Sequence, residues 1–277
     1  MLQCLYQTKE ALNMVYDSHV HTTNSDGKNT LGEMCLYAIG KGFSGITITD
    51  HADMNFYESR DTYNRIGRCI GEVRRAQKDY AGKLDVLCGV ELGEYLYAPE
   101  SAEKILSLTD YDCILCSVHY LPEGQFDKPY NRVDFANVGT DDEIRQYLRM
   151  YFDLLYDTVQ AFDFDVLAHL ACPTRYITTK HKRPVNLMEF EPQIRRILQF
   201  IIDRNIALEY NSAGLTHNEE IFSMYHSMGG RLITLGSDAH YDYELGENFN
   251  QAVETLKKCG FAQYHYFKNR QPHAVEL

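Results

Sequence analysis

The sequence predicts an α/β fold built on a parallel sheet that closes into a barrel, and three observations predict it. Seven short apolar strands alternate with helical patterns along the chain, the arrangement of successive βα units. No GxGxxG or GxxxxGK[ST] follows the first strand, which argues against an open nucleotide-binding sheet. Each strand ends on a residue able to ligate metal or to hydrogen-bond, and in a parallel barrel all those ends share one face. Seven units is one fewer than the usual eight, so a closed or distorted barrel is expected.

The elements follow in order. Strand one covers about 15–20. A helix near 31–41 has Thr30 as N-cap, Glu33 three residues on and Gly42 after its end. Strand two is Gly45 to Thr49, helix two about 60–80, and strand three Leu84 to Val90. A short helix near 100–108 precedes strand four, Asp112 to Ser117. Residues 121–141, with Pro122, Gly124, Pro129 and Gly139, read as a long loop, often a functional one. Helix four, about 142–161, leads to strand five, Asp165 to His169, then a loop with Pro173, Arg175 and the basic run Lys180-His181-Lys182-Arg183. Helix five is about 187–204, strand six Ile206 to Asn211, helix six about 217–228, strand seven Arg231 to Gly236 and helix seven about 247–259. A strand-like tail, Phe261 to Phe267, follows.

Bulk properties exclude several function classes. The 277 residues are 44% apolar, with a net charge of -12. That charge repels nucleic acid and anionic membranes. No apolar run approaches the ~20 residues of a membrane span, and Met1 to Met14 lacks the pattern of a secretion signal. The eight cysteines are scattered, as expected for reduced thiols in a cytoplasmic protein. Cys113-x-x-Cys116 lies inside an apolar strand with no second CxxC, so it reads as core rather than zinc or redox chemistry.

The strand ends carry the chemistry. Asp17, His19 and His21 alternate, so an extended strand points all three to one face, where a structural strand would place Val, Ile or Leu. The later strands end in Thr49-Asp50-His51, Gly89-Val90-Glu91, Ser117-Val118-His119, Ala168-His169, Glu209-Tyr210-Asn211 and Ser237-Asp238-Ala239-His240. A lone strand-end histidine is usually structural; this many in register are hard to explain as packing. Imidazoles and carboxylates together suit zinc, iron or manganese. His181, His217, His226, His265 and His273 lack this placement and read as non-ligands.

These motifs, in this order, resemble the PHP (polymerase and histidinol phosphatase) superfamily. Thr174-Arg175-Tyr176, Glu209-Tyr210-Asn211-Ser212-Ala213-Gly214-Leu215, Leu235-Gly236-Ser237-Asp238-Ala239-His240 and Leu256-Lys257-Lys258-Cys259-Gly260-Phe261 resemble its monofunctional histidinol-phosphate phosphatases. The resemblance covers about 15–268. It implies one domain over 1–277, a distorted (β/α)7, TIM-like barrel with the metal site at the C-terminal strand ends.

The resemblance also implies a trinuclear divalent cluster of zinc, manganese or iron. His19, His21, Glu91 and Asp238 would hold the first metal. Glu91, His119 and His169 would hold the second, with Glu91 bridging. His51, His240 and Asp26 would hold the third, where Asp26 stands in for a histidine found in some members and favours a harder metal. Asp17 would orient a ligating histidine or bind weakly. The expected catalytic set is Glu91, Asp238, His240 and Arg175. Expected substrate contacts are Arg175, Asn211, Lys180 and Arg183; the alternative for the basic residues is a solvated surface. Two metals sharing a carboxylate can share a hydroxide and aim it at phosphorus. The implied activity is hydrolysis of L-histidinol phosphate to L-histidinol in histidine biosynthesis. The alternatives are a PHP phosphoesterase acting on another small phosphomonoester, a nucleotide or a phosphotyrosine, and a metal-stabilised scaffold. The expected partner is a small phosphorylated substrate, with no nucleic acid, membrane or obligate protein partner. Glu123, Asp127, Tyr130 and Asp134 could meet its cationic groups.

Overall fold

The computed structural model describes residues 14–121, 127–137, 139–214 and 217–277. Glu123, Pro122, Gly124 and Thr216, and all of Met1 to Met14 except Met14, lie outside them. Among the described residues the elements run β1 (Tyr16–Val20), α1 (Leu31–Lys41), β2 (Gly45–Ile48), β3 (His51–Asp53), α2 (Thr62–Asp79), β4 (Asp85–Gly93), α3 (Pro99–Leu106) and β5 (Cys113–Ser117). A small hairpin, β6 (Tyr120–Leu121) and β7 (Lys128–Pro129), precedes α4 (Asp141–Val159) and β8 (Val166–Leu167). Then come the single turn α5 (Cys172–Thr174), α6 (Glu191–Asp203), β9 (Ala207–Asn211), α7 (Asn218–Ser227), β10 (Ile233–Gly236), α8 (Phe249–Lys258), β11 (Gln263–Lys268) and β12 (Gln271–Glu276).

The main sheet has the order β1-β2-β4-β5-β8-β9-β10-β11-β12, with β3 paired to β4. Every pairing is parallel except β11 with β12. The two ends of the parallel run approach each other. Val20 bridges Ala239, His21 N donates to Ala239 O (2.9 Å) and Asp238 N to His19 O (2.9 Å). At the other end of that seam Tyr16 N donates to Tyr264 Oη (2.9 Å), and the Tyr16 and Tyr266 rings stack at 3.6 Å. β11 therefore fills the gap where β1 and β10 splay apart.

Both faces of the sheet are apolar, as a parallel sheet requires. Along β5, Ile114 and Cys116 join the large core under the helices, while Cys113 and Leu115 join a second cluster with Val166, Ala168, Ala207 and Phe267. Strand alternation puts the two cysteines on opposite faces, so they cannot chelate one ion.

Local signals place the helices. Thr30 and Glu33 form a reciprocal capping box, and Gly42 ends α1 at φ +80°. Thr140 and Glu143 repeat the box at α4. Three features depart from the sequence reading. β4 runs past Val90 to Gly93, so Glu91 lies inside a strand; β3 extends the line of β2 and pairs His51 with Glu91. The loop carrying Arg175 is a π-helical turn, Arg175–Lys180, a form frequent at functional sites. The tail is a hairpin whose turn, Asn269-Arg270, has φ +51° and +59°. Such a turn normally advertises itself with glycine. Here Arg270 takes the glycine position, held by its N–H on Asp112 O (2.9 Å) and its Nε on Asp165 (3.1 Å).

Candidate metal centre

The C-terminal strand ends bring nine sequence-predicted side chains into three adjoining groups. In the first, His19 Nε2 and His21 Nε2 lie 3.0 Å apart. Glu91 Oε2 is 3.4 and 3.6 Å from them, and Asp238 Oδ1 3.7 and 3.2 Å. In the second, Glu91 Oε1 meets His119 Nε2 at 3.0 Å and His169 Nε2 at 2.8 Å, with the two nitrogens 3.4 Å apart. In the third, Asp26 Oδ1 is 3.4 Å from His51 Nε2 and 3.0 Å from His240 Nε2. Ligands about 2.0–2.1 Å from a tetrahedral ion stand about 3.3 Å from each other, so these spacings fit divalent cations.

The imidazoles are aimed from behind. His19 Nδ1 donates to Glu209 Oε1 (2.6 Å), His119 Nδ1 to Asp53 Oδ1 (3.1 Å) and His240 Nδ1 to Asp238 O (2.9 Å). Each bond leaves Nε2 with its lone pair facing the centre, the arrangement of metal-bound histidines. Among the described residues His21 Nδ1 and His169 Nδ1 are buried without a hydrogen-bond partner, and buried Glu91 Oε2 has His51 Nδ1 as its nearest neighbour at 2.7 Å. Buried polar atoms of this kind are costly unless something else binds them. The donor set fits metal on these grounds.

The charges are interlocked. Burial opposes ionisation of Glu91, but His119, His51 and His19 outweigh it and hold its carboxyl well below the usual range. Burial likewise opposes Asp238, and His19, His21 and His240 hold it down. Burial works against charged His51, yet Glu91 and Asp53 raise it to about 9. Burial, with His51 and His240 beside it, lowers His21 to about 4. Behind His119, burial and then the Asp53 charge lift Glu94 to about 8. Two candidate ligand positions, His169 (φ +25°) and Asp238 (φ +56°), adopt left-handed backbone, strain of about 1–3 kcal/mol each that clusters at working sites.

An opening of about 100 Å³ leads to the groups, lined among others by Phe56, Arg60, Tyr120, Tyr130, Arg132 and Tyr176. Arg175 flanks it, with Nη1 3.7 Å from Asp238 Oδ2. The other expected contacts have protein partners. Arg183 does not line this opening; it donates to Phe135 O (3.1 Å) and Gly139 O (2.7 Å) and pairs with Asp141, bracing the loop before α4. Lys180 donates to Asn131 O (3.1 Å). Asn211 Nδ2 donates to Glu209 Oε2 (3.3 Å), supporting that carboxylate from a small cavity shared with Arg175. Asp134 faces His181 and Asp127 pairs with Tyr120, while Tyr130 reaches the opening.

Among the described residues Asp17 makes no hydrogen bond to an imidazole, although its Oδ1 accepts from the backbone N of His19 (3.3 Å). Its carboxylate accepts from Ser237 N (2.9 Å), Ser237 Oγ and Gly246 N (3.2 Å), which ties β1 to the end of β10; burial raises its pKa to about 6. The carboxylates that accept directly from the imidazole nitrogens are Glu209 and Asp53. Both carried a signal: each stands two residues from a site residue on a strand, hence on the same face.

Residues 17–213 match the PHP domain family. The chain is 27% identical over 270 residues to a probable histidinol-phosphatase of Clostridium acetobutylicum, covering 94% of this chain and 100% of that one. It is 28% identical over 256 residues to another from Deinococcus radiodurans, covering 88% and 93%. A solved histidinol phosphate phosphatase from Lactococcus lactis, complexed with zinc, L-histidinol and phosphate, shares the fold with a TM-score of 0.76 at 21% identity, covering 94% of this chain and 98% of that one.

Proposed function

The chain belongs to the PHP domain family, and from that premise we propose that it is a metal-dependent phosphomonoesterase that hydrolyses L-histidinol phosphate to L-histidinol and phosphate. The observation that carries the proposal is the split carboxylate of Glu91, with one oxygen facing His119 and His169 and the other facing His19 and His21. The names of the relatives and the bound molecules of the Lactococcus lactis enzyme point to the same substrate.

In this reading the strands close as a distorted seven-unit barrel, sealed at the Val20–Ala239 bridge. His19, His21, Glu91 and Asp238 hold one metal, Glu91, His119 and His169 a second, and Asp26, His51 and His240 a third. Bound divalent ions there supply Lewis-acid activation of water and neutralise phosphoryl charge. The protein does the rest. Glu91 keeps two positions in fixed relation. Asp238 faces His19, His21, His240 and Arg175, so it couples the ligand groups to the cation. Arg175 offers its planar fork to phosphoryl oxygens, where charge builds as the ester bond breaks. The tyrosines and Phe56 of the opening exclude water around the organic part of the substrate.

The test is phosphate release by metal-replete protein from a panel: L-histidinol phosphate, an aryl phosphate, phosphotyrosine, nucleoside monophosphates and an oligonucleotide. The specificity constant for L-histidinol phosphate is expected to exceed the others, with negligible nuclease activity at a net charge of -12. A higher constant for phosphotyrosine or a nucleotide would move the protein to another branch of the family.

A further inference from the structure

Asp26 is an unusual place for a metal ligand. It lies on the loop between β1 and α1, and its side chain is 52% exposed. Exposed loop carboxylates move, yet this one holds two imidazoles at 3.0 and 3.4 Å. Something outside the loop must fix it.

Three ties fasten the loop to the floor of the site. Asp50 accepts from Thr22 N (2.7 Å) and Thr22 Oγ1 (2.6 Å) and from Ser25 Oγ. Lys28 N donates to His240 O (2.7 Å). Gly27 presses on the His21 backbone so closely that a Cβ there would stand 2.8 Å from His21 C. Two further ties come from α2: Asn24 Nδ2 donates to Glu72 Oε2 (2.8 Å), and Arg65 reaches both the loop and the His51 strand. Arg65 Nη1 donates to Asn24 O (2.9 Å) and Nη2 to His51 O (3.0 Å). One planar guanidinium thus spans the backbone two residues before Asp26 and the backbone of His51 itself.

We propose that Arg65 is the positioning residue that assembles the Asp26–His51–His240 group, by locking the Asp26 loop to the His51 strand. The proposal rests on the reading of that group as a third metal position. Arg65 touches neither metal nor substrate in this role. Its rigid fork sets the distance between two carbonyls, and lysine, with one rotating ammonium, cannot hold both. Its charge works against a nearby cation. Removing it would therefore tighten metal binding if charge alone mattered, and loosen it if geometry does.

The experiment measures metal per chain by elemental analysis, and affinity by titration with Mn²⁺, on the full chain in wild-type, Arg65→Met, Arg65→Lys, Asp26→Ala and Asp26→Ala/Arg65→Met forms. Expected are three metals in the wild type and two in Arg65→Met at limiting free Mn²⁺. The affinity of the lost metal should fall about 10–100-fold, the range for groups that orient ligands, with Arg65→Lys in between. Asp26→Ala should lose the same metal, and the double variant no more, because both act through one site. Metal-free Arg65→Met should melt somewhat below metal-free wild type, by the two lost hydrogen bonds, and the gap should widen once Mn²⁺ is added, whereas a merely structural arginine would lower the metal-free and loaded melting temperatures equally. If Arg65→Met does not fold, Arg65→Lys carries the test. Three metals at unchanged or tighter affinity in the arginine variants overturns the role of Arg65. A wild type that binds only two overturns the third position itself.

Discussion

Glu91 holds the site together because both its oxygens are committed. Oε1 serves His119 and His169, and Oε2 lies among His19, His21 and His51, the last at 2.7 Å. Glu91→Gln keeps the shape and removes the charge. Turnover should fall at least about a hundredfold, as when a main electrostatic element is lost. Kinetics with metal analysis checks this, and near-normal turnover at full metal content would remove the bridging role. Arg175 is a different case. Its stem passes Gly214 so tightly that a Cβ there would stand 3.0 Å from Arg175 Cδ, which fixes the direction of the guanidinium. Arg175→Ala should lower the specificity constant while metal content stays full. Arg175→Lys should recover only part, lacking the bidentate fork. An unchanged specificity constant in the alanine variant would make Arg175 a surface charge.

Strand ends place the candidate ligands, and two glycines make room for the groups behind them. A Cβ at Gly236 would overlap Glu209 Oε1 and lie 2.6 Å from His19 Cβ. A Cβ at Gly93 would lie 2.5 Å from Asp53 Oδ1 and 3.2 Å from His119 Nδ1. Each methyl would land on a carboxylate–imidazole bond, with fixed strand on either side. Gly236→Ala should therefore weaken metal retention about 10–100-fold and cost about 1–3 kcal/mol in overpacking. Gly71→Ala, inside α2 with nothing within 4 Å of the added methyl, is the control and should stabilise by up to about 1 kcal/mol. Thermal melts and metal titrations of the two variants separate the effects. Full metal affinity in Gly236→Ala would show that Glu209 does not aim His19.

The candidate metal groups draw residues from β1, β3 and β4 and from the segments after β1, β5, β8 and β10, so they span most of the strand ends. Stripping the metals should then act on stability as well as chemistry. Binding to the folded state alone adds stability that grows with metal concentration. Prolonged chelation should abolish phosphate release and lower the melting temperature, and added Mn²⁺, Zn²⁺ or Fe²⁺ should restore both. Full turnover by protein shown to be metal-free would refute the mechanism. Among the described residues no helix is long and apolar enough to cross a membrane.

The sequence by itself determined the βα succession, the capped helices and the set of candidate ligands. These are local facts: periodicity, a Thr-x-x-Glu box and histidines at strand ends depend on neighbours in the chain. His19, His21, His51, His119 and His169 were legible because a polar residue at an apolar strand end has few structural explanations. The tertiary structure alone decided partnership. Asp17 and Glu209 are both carboxylates on strands, yet only Glu209 faces an imidazole, because β9 lies beside β10 while Asp17 is consumed at the seam between β1 and β10. Arg183, expected from its basic run to meet the substrate, donates to backbone carbonyls of a distant loop, partners that its local sequence does not announce. Arg65 had no signal, since its two acceptors are carbonyls 41 and 14 residues away. A backbone carbonyl exists at every position, so no residue pattern announces which one an arginine will find.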